Sequence, residues 1–385
     1  MPRLQLIPIL LLPLLAACST AEQRARDAEI QYLTAACQAQ LNEIHAEGSF
    51  PGATVCLVLA DGRMISLATG VTEEGGRPVT PADRMLVGST GKTWVAAIVH
   101  RLAEQGALSY DDRAAKWFEN EEWYLRIPNA EQVTLRQLLR HQSGLERYEM
   151  KPAFWQELML DPQRIWQPQE LLAFVFDDTP MFAAGEGWAY ADTNYILLGM
   201  IIERETGQSF YELARTWINE EYDLNDTIPS DSLHLPGVVQ GTVKLGRQLG
   251  VGPFAQQNDS FTYNVQFEWC GGGFASTAQD LAHWARVYAS GKMFSQATRT
   301  QMFDAALARE LGPESRYGLG VMMSPTRLGT FQGHDGFMPG YLTAMGYFPE
   351  HGIAAAIQVN TDDGRAVGMP LHEVLVRLAE TTGIK

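Results

Sequence analysis

The 385-residue chain has only four cysteines. No two of them form a C-x-x-C pair, and their spacing does not suggest a zinc site. No H-E-x-x-H occurs, so a zincin-type centre is unsupported. No G-x-S-x-G occurs either, which removes the nucleophile elbow of an α/β-hydrolase. Basic residues are few, 29 Lys and Arg against 45 Asp and Glu, for a net charge of −16. Phosphate binding needs clustered Lys and Arg, so nucleic acid is excluded as a partner and the acidity reads as a solvated surface. Internal repeats and low-complexity tracts are missing as well.

The first apolar stretch, "LQLIPILLLPLLAA", is too short and too interrupted by Pro8 and Pro13 for a stable membrane span. With Arg3 before it and Leu15-Ala16-Ala17-Cys18 at its end, it resembles the leader and lipobox of an exported bacterial lipoprotein. That resemblance implies residues 1–17 as a cleaved signal, lipidation at Cys18 and a lipid anchor to the membrane. Ser19 after the cysteine resembles an outer-membrane address, with the protein facing the periplasm. Residues 18–28 read as a polar tether. The remaining length can bury a large core.

An apolar helical stripe of Ile30, Leu33, Cys37, Leu41 and Ile44 precedes two strand-like runs joined at Asp61-Gly62, a hairpin signal. Cys37 and Cys56 could form a bridge or remain, with Cys270, as separate buried thiols. From about 89 the pattern turns mostly helical. Thr134 with Gln137 predicts a capping box, and another helix runs from about Thr193 to Glu205 before Gly207. After a poorly patterned stretch, "GGGFASTAQDLAHWARVYASG" supplies one more helix. Strands return in "YLTAMGYFPEHGIAAAIQVN", and a final helix follows Pro370. The expected organisation is α+β. Residues 29–88 and 269–385 form an α/β lobe with an antiparallel sheet flanked by helices, and 89–268 form a mostly helical lobe.

The segment "MLVGSTGKTW" admits two chemistries. A phosphate-binding G-x-x-x-x-G-K-[ST] loop ending at Gly91-Lys92-Thr93 requires glycine at 86, where Leu86 stands. The other reading is Ser89-x-x-Lys92, which places an ammonium beside a hydroxyl on one helical face. Gly88 allows a tight turn into that helix, and its N-terminus favours developing negative charge. With 15 Ser and six Lys, chance supplies roughly 0.2 such pairs, so the pair alone is weak.

Tyr190-Ala191-Asp192 and His334-Asp335-Gly336 follow in order. With Ser89-x-x-Lys92 they resemble the three signature motifs of the penicillin-recognising serine hydrolases, the class C β-lactamase, D,D-carboxypeptidase and esterase group. "VTLRQLLRHQSGL" and "GGGFASTAQDLAHWA" are similar to that group's framework segments, and the resemblance covers most of residues 35 to 365. It implies a β-lactamase/transpeptidase-like fold and hydrolysis of amides or esters through an acyl-enzyme on Ser89. Lys92 and Tyr190 would form the base system, and the backbone N–H groups of Ser89 and Phe337 the oxyanion hole. Asp192, His334, Asp335 and Gly336 would contact a small-molecule or peptide substrate. No metal and no cofactor is implied. Free Lys and Tyr titrate at about 10.4 and 10, so one of the two must be lowered to serve as a base near neutrality.

Two positions depart from the group. Asp192 stands where asparagine is usual and cannot donate as an amide does; it also suits the N-cap of the helix from Thr193. His334 stands where β-lactamases usually carry lysine, and with Asp335 would be a partly charged, pH-sensitive anchor for a substrate carboxylate. Both changes favour a D,D-carboxypeptidase-, D-amino-acid-peptidase- or esterase-like role over a class C-like β-lactamase. A non-catalytic penicillin- or cell-wall-peptide-binding lipoprotein of the same fold is the competing class. His141, His100 and His283 read as framework residues. Oligomeric state is not legible.

Overall fold

The computed structural model describes residues 21–384. The expected leader and Cys18 lie outside the described residues. Among those described, no helix is long and apolar enough to cross a membrane.

The sheet draws on both ends of the chain. Its eight strands run in the order 64–70, 52–58, 353–359, 341–348, 329–338, 322–326, 316–317, 306–307. Every neighbouring pair is antiparallel, with Val55 opposite Ile357 and Ala344 opposite the same Ile357 on its other side. The expected hairpin turn is present, with Gly62 at φ 91°. The Gly52–Val58 strand is buried along its whole length because both faces are covered. Val55 and Leu57 face a core built with Cys37, Leu41 and Ile44 of the first helix and Val374, Leu375 and Leu378 of the last. Cys56 and Val58 point the other way, into a larger core shared with Leu281 and Trp284 and with the intervening helices.

The first helix spans Ala21–Glu47, so most of the expected tether is helical. "AEQRARDAE" is rich in strong helix formers, and Gln23 donates to Asp27 one turn on at 2.9 Å. Cys37, Cys56 and Cys270 are separate buried thiols, which decides against a Cys37–Cys56 bridge.

Between the sheet's two contributions, the helix Lys92–Glu104 runs through the interior, with Lys92 to His100 all buried. The Thr134–Gln137 capping box forms as expected. The helix Thr193–Thr206 ends at Gly207, whose φ of 68° makes the left-handed exit. Asp192 occupies the N-cap position but its side chain makes no cap hydrogen bond. It is committed elsewhere.

Candidate active site

Residues Gly88–Gly91 form a single 3-10 turn that feeds the helix beginning at Lys92. Lys92 Nζ thereby lies 3.0 Å from Ser89 Oγ, to which it donates. The ammonium also donates to the Gly271 carbonyl at 2.5 Å and forms an ion pair with Asp192 Oδ1 at 2.5 Å. Two hydrogen bonds and one ion pair thus engage the buried ammonium. Its Nζ also sits 5.1 Å from the centre of the Tyr190 ring.

Glycines let the third motif press against this turn. Gly88 has φ 53°, and a Cβ there would stand 2.6 Å from the Phe337 carbonyl oxygen and 2.7 Å from its amide nitrogen. A Cβ on Gly336 would come within 2.0 Å of the Val87 carbonyl. From the other side, a Cβ on Gly272 would meet the Gly88 carbonyl at 2.2 Å and the Ser89 amide nitrogen at 3.0 Å. Bare backbone on both flanks brings the Phe337 amide beside the Ser89 turn, the neighbourhood an oxyanion hole requires.

The second motif is hung on His141. Its backbone sits at φ 59°; its carbonyl accepts from Ala189 N at 3.1 Å, and its Nδ1 accepts from Ala191 N at 3.2 Å. The imidazole lies over Tyr190 at 4.2 Å between ring centres. Burial holds this histidine well below its usual pKa, and Lys92 adds to the effect. His141 is therefore a neutral framework residue, as its sequence context suggested. His100 is likewise structural, paired with Tyr110 Oη and the Leu319 carbonyl.

The proton affinities differ from the expectation that Lys92 or Tyr190 is lowered. Burial alone would depress Lys92, but the Asp192 carboxylate, then Tyr190 and Glu268, outweigh it and hold the ammonium above its usual value. Burial pushes the Tyr190 phenol up to about 12 against the pull of Lys92. The Tyr190 hydroxyl is buried and completes no hydrogen bond. At rest the pair is a cation and a phenol.

The charged anchor expected at His334 is absent. The imidazole is 1% exposed, and burial, with Lys92 nearby, lowers it to about 3. Nδ1 lies 2.6 Å from the Asp335 carbonyl and so carries the proton, while Nε2 accepts from Tyr317 Oη at 2.8 Å. Asp335 does not join it. Strand alternation turns its side chain to the opposite face, exposed, where it lines a cavity of about 710 Å³ with Arg365 and His372. Ser89, Lys92, Tyr190, Asp192, His334 and the Gly336–Phe337 backbone converge; Asp335 stands apart.

Three further side chains, missed in the sequence, complete the site. Arg147 donates to Glu149 Oε1 at 2.5 Å and lies over the Tyr190 ring. Burial and then Asp192 raise Glu149 to about 7 and Glu268 to about 8. One oxygen of each, Glu149 Oε2 and Glu268 Oε2, is buried without a partner. The signal available was "EWCGGGF": consecutive glycines mark close backbone approach, and Trp269 before them is strained at φ 35°.

This arrangement, an antiparallel sheet packed with helices and a serine and lysine one turn apart, is that of the β-lactamase/transpeptidase-like fold. The chain belongs to the Beta-lactamase family, whose model matches residues 33–377. It is similar to penicillin-binding protein 4* of Bacillus subtilis, 25% identical over 71% of this chain and 60% of that protein. The chain thus spans somewhat more than half of that relative's length. Among solved structures it resembles a D-stereospecific amidohydrolase from Streptomyces sp. at 27% identity and TM-score 0.74, covering 86% of this chain and 96% of that one. It also shares the fold of the D-amino acid amidase of Ochrobactrum anthropi SV3, solved with L-phenylalanine amide, at 23% identity and TM-score 0.77 over 91% and 98% of the two chains.

Proposed function

We propose that the protein is a serine hydrolase that forms an acyl-enzyme on Ser89 from amide or ester substrates. We further propose that its preferred substrates are amides or short peptides of D-amino acids with a free amino group. The observation that carries the reading is the commitment of charge around Ser89. Lys92 is spent on Asp192, Arg147 on Glu149, and His334 is neutral. A substrate carboxylate reaching the third motif meets no uncommitted cation among these groups. The unpartnered carboxyl oxygens of Glu149 and Glu268 are instead open acceptors for a substrate ammonium. The similarity to a D-stereospecific amidohydrolase points the same way. Acylation would break the amide or ester C–N or C–O bond, with the developing oxyanion met by the Ser89 and Phe337 amides.

The test is a panel of D- and L-phenylalanine amide, a D-Ala-D-Ala peptide and a chromogenic cephalosporin, run on wild type and Ser89→Ala. The expected result is turnover of the D-amide above the carboxylate-terminated substrates and none by Ser89→Ala. Equal turnover by both proteins removes Ser89 as the nucleophile. The full engagement of Lys92 favours a second reading, a non-catalytic binder of the same fold; binding of the panel without turnover by wild type would establish it. On the strength of Leu15-Ala16-Ala17-Cys18, we also propose an exported lipoprotein anchored through Cys18. Incorporation of a palmitate analogue, lost in Cys18→Ser, checks this.

A further inference from the structure

The resting site has no free base, because Lys92 is an ammonium and Tyr190 a phenol. Asp192 is the carboxyl paired with that ammonium. It lies 2.5 Å from Lys92 Nζ, which in turn lies 3.0 Å from Ser89 Oγ. Asp192 is 4% exposed, its side chain does not cap the helix that follows it, and its Oδ1, paired with the Lys92 ammonium, accepts no hydrogen bond and is free to take a proton. The asparagine usual at this position in the family has no site for a proton.

We propose that Asp192 is the proton acceptor of this site, reached from Ser89 through Lys92. This rests on Ser89 being the nucleophile. Lys92 Nζ passes one proton to Asp192 Oδ1, turns about its Cε–Nζ bond, and takes the proton of Ser89 Oγ as Oγ bonds to the substrate carbonyl carbon. Lys92 is again an ammonium and Asp192 a neutral acid. The negative charge now rests on the tetrahedral oxyanion, beside the Ser89 and Phe337 amides. Collapse expels the leaving group, which takes a proton from the Tyr190 hydroxyl, and Tyr190 is reprotonated through Lys92 from Asp192. Substrate filling the cleft excludes water, which favours the neutral Lys–Asp pair over the ion pair. The groups facing Asp192 are Lys92, Tyr190, Tyr195, Arg147, Tyr148, Glu149 and Glu268. Burial and the Asp192 charge raise both glutamates, so the three carboxyls oppose one another's ionisation.

The test is pre-steady-state acylation by p-nitrophenyl acetate, whose leaving group needs no proton. It is followed from pH 5 to 10 and in H₂O/D₂O mixtures, with mass spectrometry locating the acyl group. The relay predicts a wild-type rate that is level through neutrality and a curved proton inventory with two protons in flight. Asp192→Asn is expected to be slower by at least about 100-fold at pH 7, the low end for losing a general base. Its rate should climb with pH and its inventory should be linear. An Asp192→Asn protein with the wild-type rate and profile overturns the relay, and so does a one-proton inventory in wild type, a result that needs no variant to fold. Failure of wild type to be acylated at Ser89 overturns the reading beneath it instead.

Discussion

Glu268→Gln should change how stability depends on pH. Glu268 is buried beside Gly271 and Asp192, and its carboxyl is raised from 4.5 to about 8, by burial first and by Asp192 second. A carboxyl raised in the fold binds its proton more tightly there than in the unfolded chain. Its contribution is complete below about pH 4.5 and is lost as pH rises toward 8. Each pH unit in that window is worth about 1.4 kcal/mol, so between pH 6 and 9 wild type loses about 3 kcal/mol through this group. Glutamine has the same shape and cannot ionise. Any fixed cost of its amide, on the order of 1–3 kcal/mol if a donor is left unpaired, is the same at both pH values and cancels. The assay is urea unfolding followed by fluorescence of the nine tryptophans, for both proteins at pH 6, 7, 8 and 9. The variant's stability relative to wild type should improve by about 3 kcal/mol across that range. Glu149, raised to about 7 in the same field, makes this a ceiling, because the two carboxyls oppose each other's ionisation. Parallel curves for the two proteins, within about 0.5 kcal/mol, would refute the picture of a protonated, buried Glu268.

Tyr190→Phe removes a buried hydroxyl that has no hydrogen-bond partner. The unfolding midpoint should hold or rise, while acylation falls by at least about 100-fold; an unchanged rate in a burst assay makes Tyr190 a packing residue only. Gly336→Ala puts a methyl 2.0 Å from the Val87 carbonyl, where backbone cannot yield. The strand must back away from Ser89, so kcat should drop by about 100- to 1000-fold, as when one oxyanion donor is lost. A normal kcat in a folded variant would refute the close-approach argument.

Periodic features were legible. The Thr134 capping box, the Gly207 exit and the helices from Lys92, Thr193 and Ala278 follow from local pattern, and the sheet from both termini follows from where strand signals cluster. The three motifs also met in space, because each sits on an element whose ends the sequence marks. What sequence could not carry was burial of charge. Asp192 satisfied every local rule for a helix cap, yet Lys92, a hundred positions earlier in the chain, claims it. His334 beside Asp335 looked like a charged pair, but strand alternation sends them to opposite faces, and a distant Tyr317 fixes the imidazole neutral. Glu149 lies in a segment with no motif and Glu268 is marked only by the glycines that follow it; the fold brings both to the Lys92 site. The polarity of residues 18–28 speaks of exposure and suggests a tether, whereas helix propensity decides the backbone from Ala21 on.

The pairing of Val55 with Ile357 also governs the order in which the protein can be finished. The strand at 52–58 is made early, and its partner comes almost last. At roughly 5–20 residues per second of synthesis, the first hairpin waits some tens of seconds with one edge bare. Until then the strand and its apolar faces are open to wrong partners, including the same hairpin on another copy. Truncation near the C-terminus therefore does more than shorten the chain. It withholds the strand that closes the sheet, and such a product should accumulate as aggregate rather than as a smaller folded protein.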